Sequence, residues 1–360
     1  MTVQEDSLDG GGVKERRDRT KGVEGIRKPD EAPERGPWPF DPGDNTEGLR
    51  EVFQGHMRPV IPRAHWGGLA APGAKEADVV ILGLPYDGGV SWRPGAAEAP
   101  VRLREISTSS PAISEDGFVV DPHRLRVRDL GDVVPEGGSE HYFGRVQAVV
   151  QSILEARPRP FLLSIGGDHS VLIPVFRAFG AAASGPVGLV ILDAHPDLFD
   201  VYHGFPLSHA CPVRRCLETG RLNPERLLIL GTRSYNPEEL DFIREQGIRF
   251  VPAREVAHSS LSAVLALARK TMAGLDAVYL SVDIDVADPS CAPGTGAPVA
   301  GGLTSRQLLD LVRGLLEELP IRAMDIVEVS PPHDPSQITL FLALQIVFET
   351  FGVLARKRSA

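Results

Sequence analysis

Cysteine is scarce in this chain: three residues in 360, Cys211, Cys216 and Cys291. An odd, sparse set excludes a disulfide framework and reads as free thiols in a reducing compartment. Long apolar runs are also missing. No uninterrupted stretch reaches the roughly 18–20 residues of a membrane-spanning helix, so no membrane partner is expected. The opening residues, MTVQEDSLDGGGVKERRDRTKG, lack an apolar h-region. No secretory signal is therefore expected, and a cytoplasmic protein is. Positive charge is in deficit, with 38 Lys and Arg against 48 Asp and Glu. Neutralising a phosphate backbone needs clustered Lys and Arg, so no nucleic-acid partner is expected. A small cationic substrate remains compatible with the balance. No internal repeat is visible.

What is present is an ordinary globular composition, 42% hydrophobic and 24% charged, long enough for a large core. Residues 1–45 mix both charge signs with Gly and Pro and read as a flexible tail. PWPF at 37–40 is a possible arm onto a neighbouring subunit. Residues 46–76 read as a partly ordered lead-in, and residues 77–360 as a single catalytic domain. Within it, strand and helix signals alternate about eight times. Strands are expected at DVVILGLP (78–85), LRVRDLGDV (125–133), PFLLSI, VGLVIL, RLLILGTRS (226–234), AVYLSVDID (277–285) and IRAMDIVEV. Helical spacing marks 141–156, 261–272 and 304–318, the last opened by a Thr cap. VLIPVFRAFG reads as a short helix stopped by Gly180, and ITLFLALQIVFETFG as a buried final helix. The pattern implies an α/β fold on a mainly parallel sheet. A TIM barrel competes on element count. A doubly wound open sheet is favoured because chemistry follows only some of the strands.

That chemistry is carboxylate and imidazole at strand ends. LLSIGGDHS ends in Asp168 and His169; LVILDAHPD in Asp193, His195 and Asp197; YLSVDID in Asp283 and Asp285; MDIVEVSP in Glu328. Side chains two apart on an extended chain share a face. Backbone that stays extended would therefore make each set converge. Packed carboxylates repel unless a cation lies among them. With no cysteine pair nearby, the donors favour a hard or borderline divalent metal. Six candidate ligands, His169, Asp193, His195, Asp197, Asp283 and Asp285, exceed what one ion takes and fit two, about 3.5–4 Å apart. Asp168 reads as a capping or supporting residue. Asp288, before Pro289, reads as a turn former, and Asp200 as a loop residue.

GGDHS, DAHPD, SVDIDVADPSCAPGTGAPVAGGL and VEVSPPHD together resemble the signatures of the ureohydrolases, arginase, agmatinase and their relatives. The likeness runs from about residue 77 to 354, and SHACPVRR is closer to the agmatinase type. It implies a three-layer α/β/α domain, two Mn2+ per subunit with Ni2+ as an alternative, and a trimeric or hexameric homo-oligomer. It also implies hydrolysis of a small guanidino substrate, such as agmatine or guanidinobutyrate, to urea and an amine. His169, Asp193, Asp197 and Asp283 would hold one ion, and Asp193, His195, Asp283 and Asp285 the other. Asp197 would orient the nucleophile and accept its proton, and Glu328 would bind the guanidinium. His209 matches the proton shuttle; His203, the other H-x-x-P histidine, is too near Asp197 for the match.

The pattern departs at TGAPVAGG, where Ala297 and Val299 replace a hydroxyl residue and Glu. It departs again at Trp92, before Arg-Pro-Gly, and at AEAP and Cys291. Trp92 and Ala297 are therefore the candidate specificity residues. Trp92 would wall the pocket or, alternatively, pack beneath its loop. Other readings are hydrolysis of free guanidine or of a larger guanidino metabolite, a single-metal deacetylase-type amidohydrolase, and a ligand-binding relative without turnover.

Overall fold

The computed structural model describes residues 56–58, 65–70 and 76–359. The tail 1–45, its PWPF motif and most of the 46–76 lead-in lie outside the described residues. Nine strands form one sheet: β1 Met57–Arg58, β2 Val79–Gly83, β3 Val127–Val133, β4 Phe161–Ile165, β5 Val187–Leu192, β6 Leu222–Thr232, β7 Arg249–Pro252, β8 Val278–Asp283 and β9 Ile321–Val327. Their order is β1-β3-β2-β4-β9-β8-β5-β6-β7. Every pairing is parallel except β1 on β3. Among the described residues β1 and β7 end the sheet without pairing to each other, so it does not close into a barrel.

β2, β4, β5 and β8 are buried along their whole length. Strands covered on both faces need no polar side, which is why their sequences are near-continuous apolar runs. Alternation divides them between two cores. Val79 and Ile81 face one, with the helices Ala99–Ile106, Leu261–Thr271, Ser305–Glu318 and Ile338–Ser359. Val80 and Leu82 face the other, with Ser139–Glu155, Leu172–Ala182, Pro212–Leu217 and Pro237–Gln246. The result is the expected three layers. Thr304 caps Ser305–Glu318 in a reciprocal box with Gln307, an arrangement worth about 1 kcal/mol. Ile338–Ser359 is long and apolar enough to cross a bilayer by composition, yet most of it is buried within the core.

One expectation needs correction, and two short elements were not foreseen. Gly180 does not stop its helix, which runs to Ala182. A Cβ on Gly180 would lie 3.1 Å from the Arg221 Cβ, and Arg221 Nε donates to the Gly180 carbonyl. β7 and the helix Ala253–His258 carried too few residues to register as a period. The described part of the 46–76 segment packs on the domain. Trp66 is fully buried, and its indole Nε1 donates to Asp129 at 2.6 Å. The buried Arg104 guanidinium also pairs with Asp129, and with Asp132.

The sheet order decides where the chemistry gathers. β4, β9, β8 and β5 are consecutive neighbours, so the four polar strand ends of the sequence open side by side. A cleft of about 550 Å³ opens instead at the amino-terminal edge of the sheet, among Arg159, Phe161, Leu275 and Arg322. Its carboxylates, Asp78 and Asp276, precede β2 and β8, none of the strand-end candidates lines it, and parallel sheets bind ligands at the opposite, carboxyl end.

Candidate active site

β4 runs into Gly166-Gly167-Asp168. A Cβ on Gly167 would lie 1.7 Å from the Tyr86 carbonyl oxygen, so only glycine lets the loop after β2 approach. Asp168 caps the short turn that follows, accepting from Ser170 N at 2.9 Å. That turn carries His169, which is 1% exposed, into the carboxylates. His169 Nδ1 lies 2.8 Å from Asp197, 3.0 Å from Asp193 and 3.4 Å from Asp283. On the other side, His195 Nδ1 lies 3.1 Å from Asp285 and 3.5 Å from Asp193.

The residues converge as expected, but not by extended backbone. β5 ends at Leu192 and β8 at Asp283. Asp197 adopts the left-handed conformation, φ 54°, and Asp285 sits in a 3-10 turn. Backbone amides brace the carboxylates. His195 N donates to Asp193 Oδ1, Ala194 N to Asp285 Oδ1 and Asp285 N to Asp283 Oδ1. Asp197 is steadied by Leu198 N, which donates to the buried Glu239 at 3.1 Å. Left-handed Asp197 and Glu328 (φ 60°) are local strain of the kind that surrounding structure holds at functional sites.

Two overlapping groups result, His169–Asp193–Asp283 and Asp193–His195–Asp285, each with its donor atoms within 4.8 Å of one another. His169 Nδ1 and Asp193 Oδ2 are buried without a hydrogen-bond partner. Burial, and then the Asp193 charge, pushes Asp197 up to about 6; burial with the Asp285 and Asp193 charges holds Asp283 well above the usual carboxylate range. Partnerless donors amid crowded carboxylate charge fit a hard or borderline divalent cation.

The ring of His169 is oriented from behind. Ser281 Oγ donates to Asp325 at 2.6 Å, and Tyr279 donates to the same carboxylate at 2.8 Å. The serine hydrogen is thus committed, so Ser281 accepts from His169 Nε2–H at 3.0 Å. That leaves the Nδ1 lone pair facing the carboxylates, the tautomer a metal needs. The sequence reading missed Ser281 and Asp325. The available signal was a lone carboxylate inside the apolar strand IRAMDIV. It also missed Arg233, which binds the Gly231 carbonyl of β6 and four backbone carbonyls of the β8 turn and the Val299 loop. Asp325→Asn is expected to weaken metal binding by about 10–100-fold, read by chelator competition. Unchanged affinity would show that Ser281 orients the ring unaided.

Glu328 is 3% exposed. Its Oε1 accepts from His169 N at 2.9 Å and from His209 Nδ1 at 3.1 Å, while Oε2 has no partner. Burial disfavours charge on His209, but Glu328, backed by Asp168 and Asp197, pushes it up to about 9. His203 is exposed and turned against Tyr202, away from this network. Asp288 shapes its turn by accepting from Ser290, Gly301 and Gly302, and Asp200 pairs with Arg215, as loop roles require. Ala297 adjoins Gly296, whose Cβ position lies 3.3 Å from Glu328 Oε2. Trp92 does not pack beneath its loop: it is 68% exposed, with the Arg93 guanidinium 4.6 Å over its ring.

Residues 77–352 match the arginase family. The chain belongs to the arginase family. It is 38% identical to the guanidinopropionase of Pseudomonas aeruginosa over 281 residues, 77% of this chain and 86% of that protein. It is also 38% identical to the mitochondrial agmatinase of Gallus gallus, over 78% and 82% respectively. The solved structure of proclavaminate amidino hydrolase from Streptomyces clavuligerus superposes with a TM-score of 0.74 at 34% identity, covering 82% of this chain and 98% of that one. This arginase-family chain is therefore an agmatinase-like ureohydrolase, a hydrolase of guanidino groups.

Proposed function

We propose that this ureohydrolase uses two metal ions to hydrolyse a small guanidino amine or acid, agmatine or a guanidinobutyrate-like compound, to urea and a primary amine. The observation that carries the reading is the pair of donor groups sharing Asp193, beside a glutamate with one oxygen free. His169, Asp193, Asp197 and Asp283 would hold one ion, and Asp193, His195, Asp283 and Asp285 the other. The donor set suits Mn2+, with Ni2+ as the alternative. When bound, such ions make water nucleophilic near neutral pH and stabilise developing negative charge.

The protein's own groups do the rest. Glu328 Oε2 receives the planar guanidinium through charge-assisted hydrogen bonds and sets its carbon toward the carboxylate cluster. Asp197 orients the attacking water and accepts its proton on a carboxylate oxygen. His209, with Nδ1 held by Glu328, delivers the proton that the departing amine requires. Identity does not choose the tail, because a guanidinopropionase and an agmatinase are equally similar. Trp92, next to the Ser91 that contacts His209, and Ala297, next to the Gly296 beside Glu328, are assigned to tail selection. The same reading carries a cytoplasmic homo-oligomer, trimer or hexamer, measurable by light scattering.

The test is urea release across agmatine, guanidinopropionate, guanidinobutyrate, arginine and guanidine, with metal content measured in parallel. Chelation is expected to abolish urea release and Mn2+ to restore it. Absence of urea from every compound in fully loaded protein would refute the reading.

A further inference from the structure

We propose that Ser91 is a positioning residue for His209: it selects which imidazole nitrogen carries the proton and links that nitrogen to solvent. The inference rests on the proton-delivery role assigned to His209 above.

The loop after β2, residues 87–95, touches the loop that follows each of the four central strands. Gly89 N donates to Asp168 at 2.7 Å, and Gly89 O accepts from Ser208 Oγ and His209 N, both at 3.1 Å. Arg93 donates to the Gly296 carbonyl at 3.0 Å and to that of Thr295 at 2.8 Å. Gly95 lies against Ser330, where a Cβ would stand 2.6 Å from its Oγ. Asp87 accepts from Gly95 N at 2.7 Å and closes the loop on itself. A loop pinned at so many points holds its residues in register with the strand ends.

Ser91 is thereby placed on His209. Its backbone N lies 3.2 Å from Nε2 and its Oγ 2.9 Å. A backbone N–H only donates, so in the neutral imidazole Nε2 presents a lone pair and Nδ1 carries the hydrogen toward Glu328. A shuttle must also carry a proton on Nε2 for part of its cycle. The amide of Ser91 then faces another donor, whereas its hydroxyl can turn and accept. Ser91 Oγ therefore serves both protonation states. Ser91 is also exposed, while the His209 side chain is 13% exposed, so the hydroxyl lies between the imidazole and bulk solvent. Recharging is a balanced relay. A buffer acid gives a proton to Ser91 Oγ as the Oγ–H passes to Nε2; the buffer leaves as its conjugate base, serine is unchanged, and His209 gains one proton.

Ser91→Ala and Ser91→Thr in the metal-loaded, full-length enzyme test this. Ser91→Ala is expected to lower kcat about tenfold, leave KM within about twofold and retain both metals. Its kcat should show a larger solvent deuterium effect than that of the unmodified enzyme. Ser91→Thr is expected to restore most of kcat, because the hydroxyl returns. An unchanged kcat in Ser91→Ala would overturn the assignment. So would a loss accompanied by raised KM and not repaired by threonine, which would mark loop packing alone. Urea release by the unmodified enzyme reports separately on the proposed function; its absence would overturn both, since the relay serves only that step.

Discussion

Asp193→Ala is expected to remove both metals at once and to lower kcat/KM by on the order of 10³-fold or more, about 4 kcal/mol of transition-state stabilisation. The reason is position rather than charge. Asp193 belongs to both donor groups, with Oδ2 3.0 Å from His169 Nδ1 and Oδ1 3.5 Å from His195 Nδ1. Of the two donor groups among the described residues, Asp193 is the shared side chain; Asp283 is the other residue assigned to both ions, and Asp283→Ala is expected to act in the same direction. His195→Ala, by contrast, touches one group only and should cost one ion per subunit while the other stays. Elemental analysis of the two purified variants, beside their urea release, reads the difference. Retention of two ions by Asp193→Ala would remove it from the bridging position.

Glu328→Gln is expected to lower kcat/KM by about 10²–10³-fold with metal content unchanged. The buried glutamate already spends Oε1 on His169 N and His209 Nδ1. Only Oε2 is free for substrate. Glutamine keeps an acceptor for the two internal donors but presents an amide donor to a guanidinium that also donates. A paired carboxylate is replaced by an opposed dipole in a site shielded from water, where such contacts are strongest. His169 keeps its backbone partner, so the metals should stay. Loss of metal from Glu328→Gln would instead place the residue in the ligand framework.

Much of this was legible in the chain. The buried strands announced themselves as short apolar runs, VVILG, FLLSI, VGLVIL and VYLSVD, because strands covered on both faces have no polar side to show. The metal-type donors were legible because a carboxylate directly after such a run has no structural use that would justify its burial. Trp66 and Asp325 were not legible. Each acts through a partner distant in sequence, Asp129 for the one and Ser281 for the other.

The sequence by itself determined the fold class and the six metal-type donors, since these are written in local residue type and spacing; His209 and Glu328 it offered separately, through the resemblance to the ureohydrolases. Tertiary structure alone decided how they meet. The donors converge through a left-handed Asp197 and a 3-10 turn at Asp285 rather than through extended backbone, because backbone conformation past a strand end is set by what packs on it. It also set the surroundings of His209 and His203 apart. One is locked between Glu328 and Ser91, the other is left in solvent, and that difference depends on a contact across 118 residues of chain that no local pattern encodes.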